Sequence, residues 1–456
     1  MAIEVKQTKL SIIAALIIST LVLFTYGNSL LFFAHPKPKP DNNFALSKDT
    51  NITPANFTNA FSTQLSINDI NSKLATALPS NSCFVATSDK TSTLEIADMN
   101  SDKELIPASS MKLVTAAIIL SVFNKDDTLN TNLYGEVKNS KINNAYLSTN
   151  GDPSFVTDLK PNFNRPEYFN PEHTHTFKDL VESVSKKNVS NIATLTIDNT
   201  WLDVPVADAD WAYEKQLVGA LGAIIVNEGF DATGVTATPE SSAAQKLVEA
   251  FAAKGISVDK VQFAKSGFDK STMVDDKLLA STKSASMQKL IEDMLKTSNN
   301  IYAEQLLIAA AHKIEDKVTK DSLNSFANSK IKTLIKDSAG IIYKNGSGYS
   351  KTARVSCDQE MEFISLVEAQ GVDLISLSSK ANEDGTLSIR FQNYKGKLQA
   401  KTGTLDGVTA LVGQLGQYRF AFLSNGQFGD VQGHTYQEKV VDLLNQFPRW
   451  SDIRFK

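Results

Sequence analysis

The hydrophobic pattern opens with a basic start before an apolar stretch. Lys6 and Lys9 precede an uncharged run at 10–24, and apolar residues resume at Leu30, Leu31, Phe32 and Phe33. That order predicts a secretory signal. The stretch to Ala34 is also long enough for a membrane anchor, which takes roughly 20 residues. Positive charge on the amino side holds that end in the cytoplasm and sends the rest out. Pro36, Pro38, Pro40 and Pro54 then interrupt a polar segment, predicting an extended linker over 35–60.

A periodic pattern starts at Phe61. Residues 83–86 and 92–97 read as two strands joined by a polar turn. Residues 111–123 are apolar almost all round, which predicts a helix buried inside a domain. From 126 to 281, strand-like runs (195–197, 258–263) alternate with helical ones (176–187, 243–254), the pattern of an α/β unit. Helical patterns fill 284–335, and a strand meander follows at 398–402, 409–415 and 418–423. An amphipathic helix closes the pattern at 436–445. Strands near both ends predict one sheet assembled from 61–125 and 282–456, with 126–281 inserted between.

Composition narrows the function. The 456 residues are 42% hydrophobic and 21% charged, ordinary for a folded globular protein of two or three domains. A net charge of −4 argues against a nucleic-acid partner. Cys83 and Cys357 are too few for a disulfide framework, although the two could pair. No Cys-x-x-Cys or His-Glu-x-x-His is present, so neither a zinc ribbon nor a zinc protease is expected. A Ser-His-Asp hydrolase also fits poorly. His35 lies in the linker, His173 and His175 in a polar stretch that predicts solvated side chains, His312 late in a helical run, and His434 in a glycine-rich turn.

Three short motifs carry chemistry. Ser109 and Lys112 stand three residues apart where the buried helix begins, so they share one face. A serine hydroxyl needs an adjacent base. A lysine can be that base when burial or a second cation destabilises its ammonium. Ser-x-x-Lys occurs five times here, but only this pair has apolar flanks leading into a core. Ser298-Asn299-Asn300 separates two helical runs, where it could be a cap or supply a proton-shuttling hydroxyl and a substrate-holding amide. Lys401-Thr402-Gly403-Thr404 contains the chain's one Lys-Thr-Gly, on a predicted strand. Lys401 would be the second cation. Gly403 would let a ligand backbone approach the strand closely.

In this order, the three motifs are the set of penicillin-recognising serine enzymes. The chain resembles the low-molecular-mass, class C penicillin-binding proteins, the D-alanyl-D-alanine carboxypeptidase/endopeptidase family. Ile106 to Ala117, Gly151-Asp152-Pro153, Ile197 to Thr200, Val226-Asn227-Glu228, Ser298 to Glu304, Gly346-Ser347-Gly348, Asp384 to Phe391 and Ala400 to Gly407 carry the resemblance. It implies an α/β (α+β) chain whose penicillin-binding, serine β-lactamase-like catalytic domain, an antiparallel sheet flanked by helices, holds an inserted α/β domain. It implies Ser109 as nucleophile, Lys112 as base, Ser298, Asn300 and Lys401 as catalytic partners, and Thr402, Gly403 and Thr404 in substrate binding. The substrate would be a peptidoglycan stem peptide ending in D-Ala-D-Ala, with β-lactams as covalent inhibitors. No metal or organic cofactor is implied. Asn299 and Asn345 stand where the family usually has Asp, and the family's further small domain after the Val-Asn-Glu segment looks largely missing.

Two rivals share some of these features. A serine β-lactamase has all three motifs, but no Glu-x-x-x-Asn lies between Lys112 and Ser298 to activate a deacylating water. A non-catalytic, membrane-tethered wall scaffold would keep the fold and leave Ser109 inert.

Overall fold

The computed structural model describes residues 68–88, 95–157, 170–205, 219–231, 234–265, 267–268 and 270–447. All lie in the compact unit Phe61–Lys456. The expected signal or anchor and linker fall outside the described residues, among which no helix is long and apolar enough to cross a membrane.

In chain order, the strands of the two large sheets are β1 (Ser82–Thr87), β2 (Glu95–Met99), β3 (Asn130–Tyr134), β4 (Lys141–Ser148), β5 (Asn191–Ile197), β6 (Ser257–Phe263), β7 (Leu278–Lys283), β8 (Ser379–Lys380), β9 (Leu398–Leu405), β10 (Val408–Leu415) and β11 (Tyr418–Asn425). The helices are α1 (Met111–Leu120), α2 (Lys178–Ser185), α3 (Pro239–Ala252), α4 (Met287–Lys296), α5 (Asn300–His312), α6 (Lys320–Leu334), α7 (Cys357–Ala369) and α8 (Asp430–Asn445).

The first sheet runs β8-β9-β10-β11-β1-β2 and is antiparallel throughout. It joins strands from both ends of the chain, as the hydrophobic pattern predicts. β10 and β11 are apolar nearly without a break because both faces of the sheet are covered. Alternate side chains go to opposite cores: Ala410, Val412, Ala421 and Leu423 join one cluster, Leu411, Leu415, Phe420 and Phe422 the other. The first cluster surrounds α1, which is buried at every position. The second lies under α8, through Val440, Val441 and Leu444.

Residues between Asn130 and Lys283 build the second sheet, β6-β5-β4-β3-β7. Its centre is parallel (β6 with β5, β5 with β4) and its β3 and β7 edge antiparallel. Both crossings to the first layer run side by side. Ser284 N–H donates to Leu129 O, Met287 N–H to Asp127 O and Gln288 N–H to Lys125 O. After Val226, the described residues before α3 form a 3-10 turn, Asn227–Gly229, and a short hairpin pairing Phe230–Asp231 with Gly234–Val235.

Cys83 of β1 is disulfide-bonded to Cys357, the first residue of α7, across 274 residues of sequence. The bond closes a loop containing the whole second sheet. Replacing both cysteines with alanine is expected to lower unfolding stability by about 2–5 kcal/mol. Calorimetry of the parent with and without reductant should show the same drop. An unchanged melting temperature would mean that packing alone fixes α7 on the sheet.

Candidate active site

The segment Pro107 to Ser110 forms a tight turn, Ala108–Ser110, running directly into α1. Ala108 sits at φ 51°, a left-handed conformation that costs a residue with a side chain of order 1 kcal/mol. Two glycines let the surroundings clamp it there. A Cβ at Gly348 would stand 2.0 Å from Ala108 O, and one at Gly403 would stand 2.6 Å from Pro107 O. The missing side chain of Gly403 makes room for the chain's own turn before α1, on which β9 packs.

Ser109 is partly exposed; Lys112 behind it is fully buried. Lys112 Nζ donates to Ser109 Oγ (2.9 Å), Asn300 Oδ1 (2.7 Å) and Ser347 O (2.8 Å). Burial drives its ammonium well below the usual lysine range, Lys401 pushes it further down, and Glu304 opposes. Lys401 is also fully buried; its Nζ donates to Ser298 Oγ (3.0 Å) and Thr402 O (2.6 Å). Burial lowers Lys401 to about 7, with Glu360 opposing. The Ser298-Asn299-Asn300 turn thus gives its first residue to one lysine and its third to the other. Ser298 holds φ 58° to do so.

Asn299 uses both ends of its amide. Its Oδ1 caps α5 by accepting from Tyr302 N–H, and its Nδ2 donates to Glu228 Oε1 at 2.7 Å. A carboxylate there would meet another carboxylate. Asn345 lines a cavity of about 30 Å³ together with Glu304, so its neutral amide avoids a second buried anion. Thr402 Oγ1 donates to Thr386 Oγ1 (2.9 Å), itself paired with Ser379 Oγ (3.0 Å). Thr404 lies on the same strand, partly exposed. Among the described residues β8 pairs with Ala400 and Gln399, and no described strand pairs with residues 401–405 on that side.

Two carboxylates escaped the sequence reading as site residues. Glu304 of α5 accepts from Gly346 N–H (2.9 Å) and Ser347 N–H (2.7 Å), fixing the peptide whose carbonyl holds Lys112. Burial raises its pKa, and the hydrogen bonds and Lys112 pull the other way. A charge in the middle of an apolar helix was its visible signal. Glu360 of α7 accepts from Ser110 Oγ and is raised by burial to about 7, with Ser110 and Lys401 opposing. It lies on the buried stripe Cys357, Glu360, Ile364, Val367, where an acid is out of pattern.

His173 and His175 correct the expectation of solvated side chains. His173 is buried with Nδ1 2.9 Å from Asp293 Oδ1. His175 bridges Asp152 Oδ2 (2.9 Å) and Thr282 Oγ1 (3.0 Å). The carboxylates they meet are distant in sequence, so a polar local context misled. His312 stacks on Trp201 with ring centroids 3.9 Å apart.

A serine heading a buried helix, two buried lysines and a serine-amide turn, all on an antiparallel sheet with an inserted domain, define the penicillin-recognising serine peptidase class. The sequence profile of the D-Ala-D-Ala carboxypeptidase 3 (S13) family matches residues 66–229 and 216–447, and the chain belongs to that family. It is 24% identical over 432 residues to a D-alanyl-D-alanine carboxypeptidase of Actinomadura sp. (strain R39), covering 74% of this chain and 76% of the relative. It is 26% identical over 352 residues to a carboxypeptidase of Mycobacterium tuberculosis, covering 71% and 72%. The fold matches penicillin binding protein 4 of Haemophilus influenzae with TM-score 0.67 at 18% identity, over 82% of this chain and 98% of that one. It matches a predatory peptidoglycan endopeptidase of Bdellovibrio bacteriovorus with TM-score 0.56 at 17% identity, over 82% and 94%.

Glu304→Gln leaves one acceptor for two backbone donors and removes the buried charge. Hydrogen bonds to a charged group contribute about 1.5–3 kcal/mol. Acylation by a penicillin should therefore slow about tenfold to hundredfold while the protein stays folded. An unchanged rate constant would mean that the Gly346–Ser347 peptide is held by other contacts.

Proposed function

We propose that this chain is a serine-type D-Ala-D-Ala carboxypeptidase of the cell envelope that cleaves peptidoglycan stem peptides through an acyl-enzyme on Ser109 and is inhibited by β-lactams. The observation that carries the reading is the 2.9 Å contact between Ser109 Oγ and a fully buried lysine whose ammonium is destabilised by burial and by a second lysine. The family's described activity and the carboxypeptidase relatives support it.

The roles proposed for the residues are these. Neutral Lys112 takes the proton of Ser109 Oγ as the oxygen attacks the carbonyl between two D-alanines, forming the ester and releasing D-alanine. Ser298 passes a proton toward the leaving amine, and Asn300 orients Lys112. Lys401, Thr402 and Thr404 receive the terminal carboxylate along the part of β9 beyond its pairing with β8. The backbone N–H groups of Ser109 and Thr404 form the oxyanion hole, at the head of a helix where developing negative charge is favoured. Water then hydrolyses the ester. We read 61–125 and 282–456 as the catalytic domain and 126–281 as the insert, without the family's further small domain. We read 1–34 as the exporting signal or anchor. The disulfide fits an oxidising, extracytoplasmic setting.

The test is a fluorescent penicillin on the purified parent and on Ser109→Ala. A long-lived adduct on the parent alone, with D-alanine release from a pentapeptide also lost in the variant, is the expected result. Rapid penicillin turnover would instead favour a β-lactamase, and an inert folded parent would favour a scaffold. Lys112→Ala should slow acylation about 10²–10⁴-fold, the usual contribution of a positioned base.

The pH dependence has a definite sign. Lys112 acts only when neutral, and its pKa in the fold lies well below the ordinary value. Acylation should therefore run at neutral pH and fall as acid restores the ammonium. An acylation rate that kept rising from neutral pH to pH of about 10, the ordinary lysine range, would show an unperturbed lysine.

A further inference from the structure

Thr402 stands at the end of a chain of hydroxyls that the proposed mechanism does not use. Thr402 Oγ1 donates to Thr386 Oγ1 (2.9 Å), Thr386 Oγ1 lies 3.0 Å from Ser379 Oγ, and Ser379 Oγ donates to Lys296 O (2.7 Å). Lys296 ends α4, where the last carbonyls have no partner inside the helix. Ser379 is fully buried and Thr402 nearly so. The cluster is closely packed. Gly385, beside Thr386, holds φ 54°, and a Cβ there would stand 2.2 Å from Lys296 O and 2.5 Å from Ser379 Oγ.

A hydroxyl has one proton to donate and two lone pairs to accept with. A carbonyl can only accept, so the Ser379 proton lies on Lys296 O. Ser379 Oγ therefore accepts from Thr386, from its backbone N–H (3.0 Å) and from its hydroxyl. That commits the Thr386 proton, and Thr386 Oγ1 in turn accepts from Thr402. Every proton of the chain thus points along it toward α4. Thr402 Oγ1 has only lone pairs left for a ligand, and a carboxylate also has only lone pairs.

We propose that Thr386 is a specificity-determining residue: with Ser379 behind it, it competes with the substrate's terminal carboxylate for the proton of Thr402. Thr402 can donate to the carboxylate only by turning its O–H away from Thr386. No proton changes owner in this step; one hydroxyl rotates, and the hydrogen bond it leaves offsets part of the one it makes. A substrate end that brings its own hydrogen, such as an amide N–H, meets no such competition. This rests on the acyl-enzyme reading above and refines its carboxylate contact.

The test is the saturation kinetics of labelling by a fluorescent penicillin, which separate the dissociation constant from the limiting acylation rate. The full-length protein is compared with Thr386→Val, Thr386→Ser and Ser379→Ala. A D-Ala-D-Ala pentapeptide, and the same peptide ending in a carboxamide, serve as competitors. Thr386→Val removes the acceptor and releases the Thr402 proton. The penicillin, which carries a carboxylate, and the free-acid peptide should then bind about two- to tenfold tighter, the range of one net hydrogen bond. The carboxamide peptide should gain less. Ser379→Ala leaves Thr386 free to donate to Thr402 and should tighten carboxylate binding in the same way. Thr386→Ser keeps the chain and should bind as the parent does. A Thr386 that merely props Thr402 in place predicts the opposite sign, weaker carboxylate binding in Thr386→Val. Weaker or unchanged carboxylate binding in folded Thr386→Val overturns the proposal, and so does an equal gain for both peptides. If that variant does not fold, the same results in Ser379→Ala overturn it. A parent that takes no label sinks the acyl-enzyme reading as well, whereas a labelled parent whose Thr386→Val variant binds no tighter sinks only the role of Thr386.

Discussion

The site depends on burying two lysines in one place. Lys112 and Lys401 are fully excluded from solvent, and among the described residues neither forms an ion pair. Isolated buried ammonium groups are expensive, and the usual response is loss of a proton. A protein that needs a neutral amine at neutral pH can use that cost. The remaining polar structure supports the arrangement: an amide and a carbonyl for Lys112, a hydroxyl and a carbonyl for Lys401, and two glutamates placed near the lysines without touching them.

Backbone proximity is the second requirement. The nucleophile turn, β9 and the Gly346-Ser347-Gly348 segment approach closely enough that side chains at Gly348 or Gly403 would collide with main-chain atoms. Those contacts come from three distant parts of the chain. The sheet brings them together by pairing β11 with β1, and the disulfide ties β1 to α7, which carries Glu360. The same packing that excludes water from the lysines also fixes Ala108 in its strained conformation.

Much of this was legible in the sequence. The all-apolar stretch after Ser109 is a buried helix, and the terminal meander is the antiparallel sheet, because continuous apolar runs reflect burial on both faces. Ser109, Lys112, Ser298, Asn300 and Lys401 stand together as the motif order implied. The parts that were not legible depend on long-range pairing. Cys83 finds Cys357, His173 finds Asp293, and Glu360 finds Ser110, across separations that no local pattern encodes. Gly403 was recognised as a point of close approach, but only the packed structure shows that the approaching backbone is the chain's own.

The second sheet is also joined to the chemistry. Ser298 carries one lysine and Asn300 the other, and the residue between them is held by Glu228, which follows the second sheet's parallel strands β4 and β5. One helix back, Asp293 of α4 is paired with His173 of the same inserted stretch. Gln305, one turn further along α5, reaches Gly151 O and Gly222 O. The turn that distributes hydrogen bonds to both lysines is therefore braced from the inserted side at three points. Asn at position 299 matters for the same reason, because only an amide can cap α5 with its oxygen while its nitrogen donates to Glu228. The inserted stretch thus helps to set the geometry of the turn that meets both lysines.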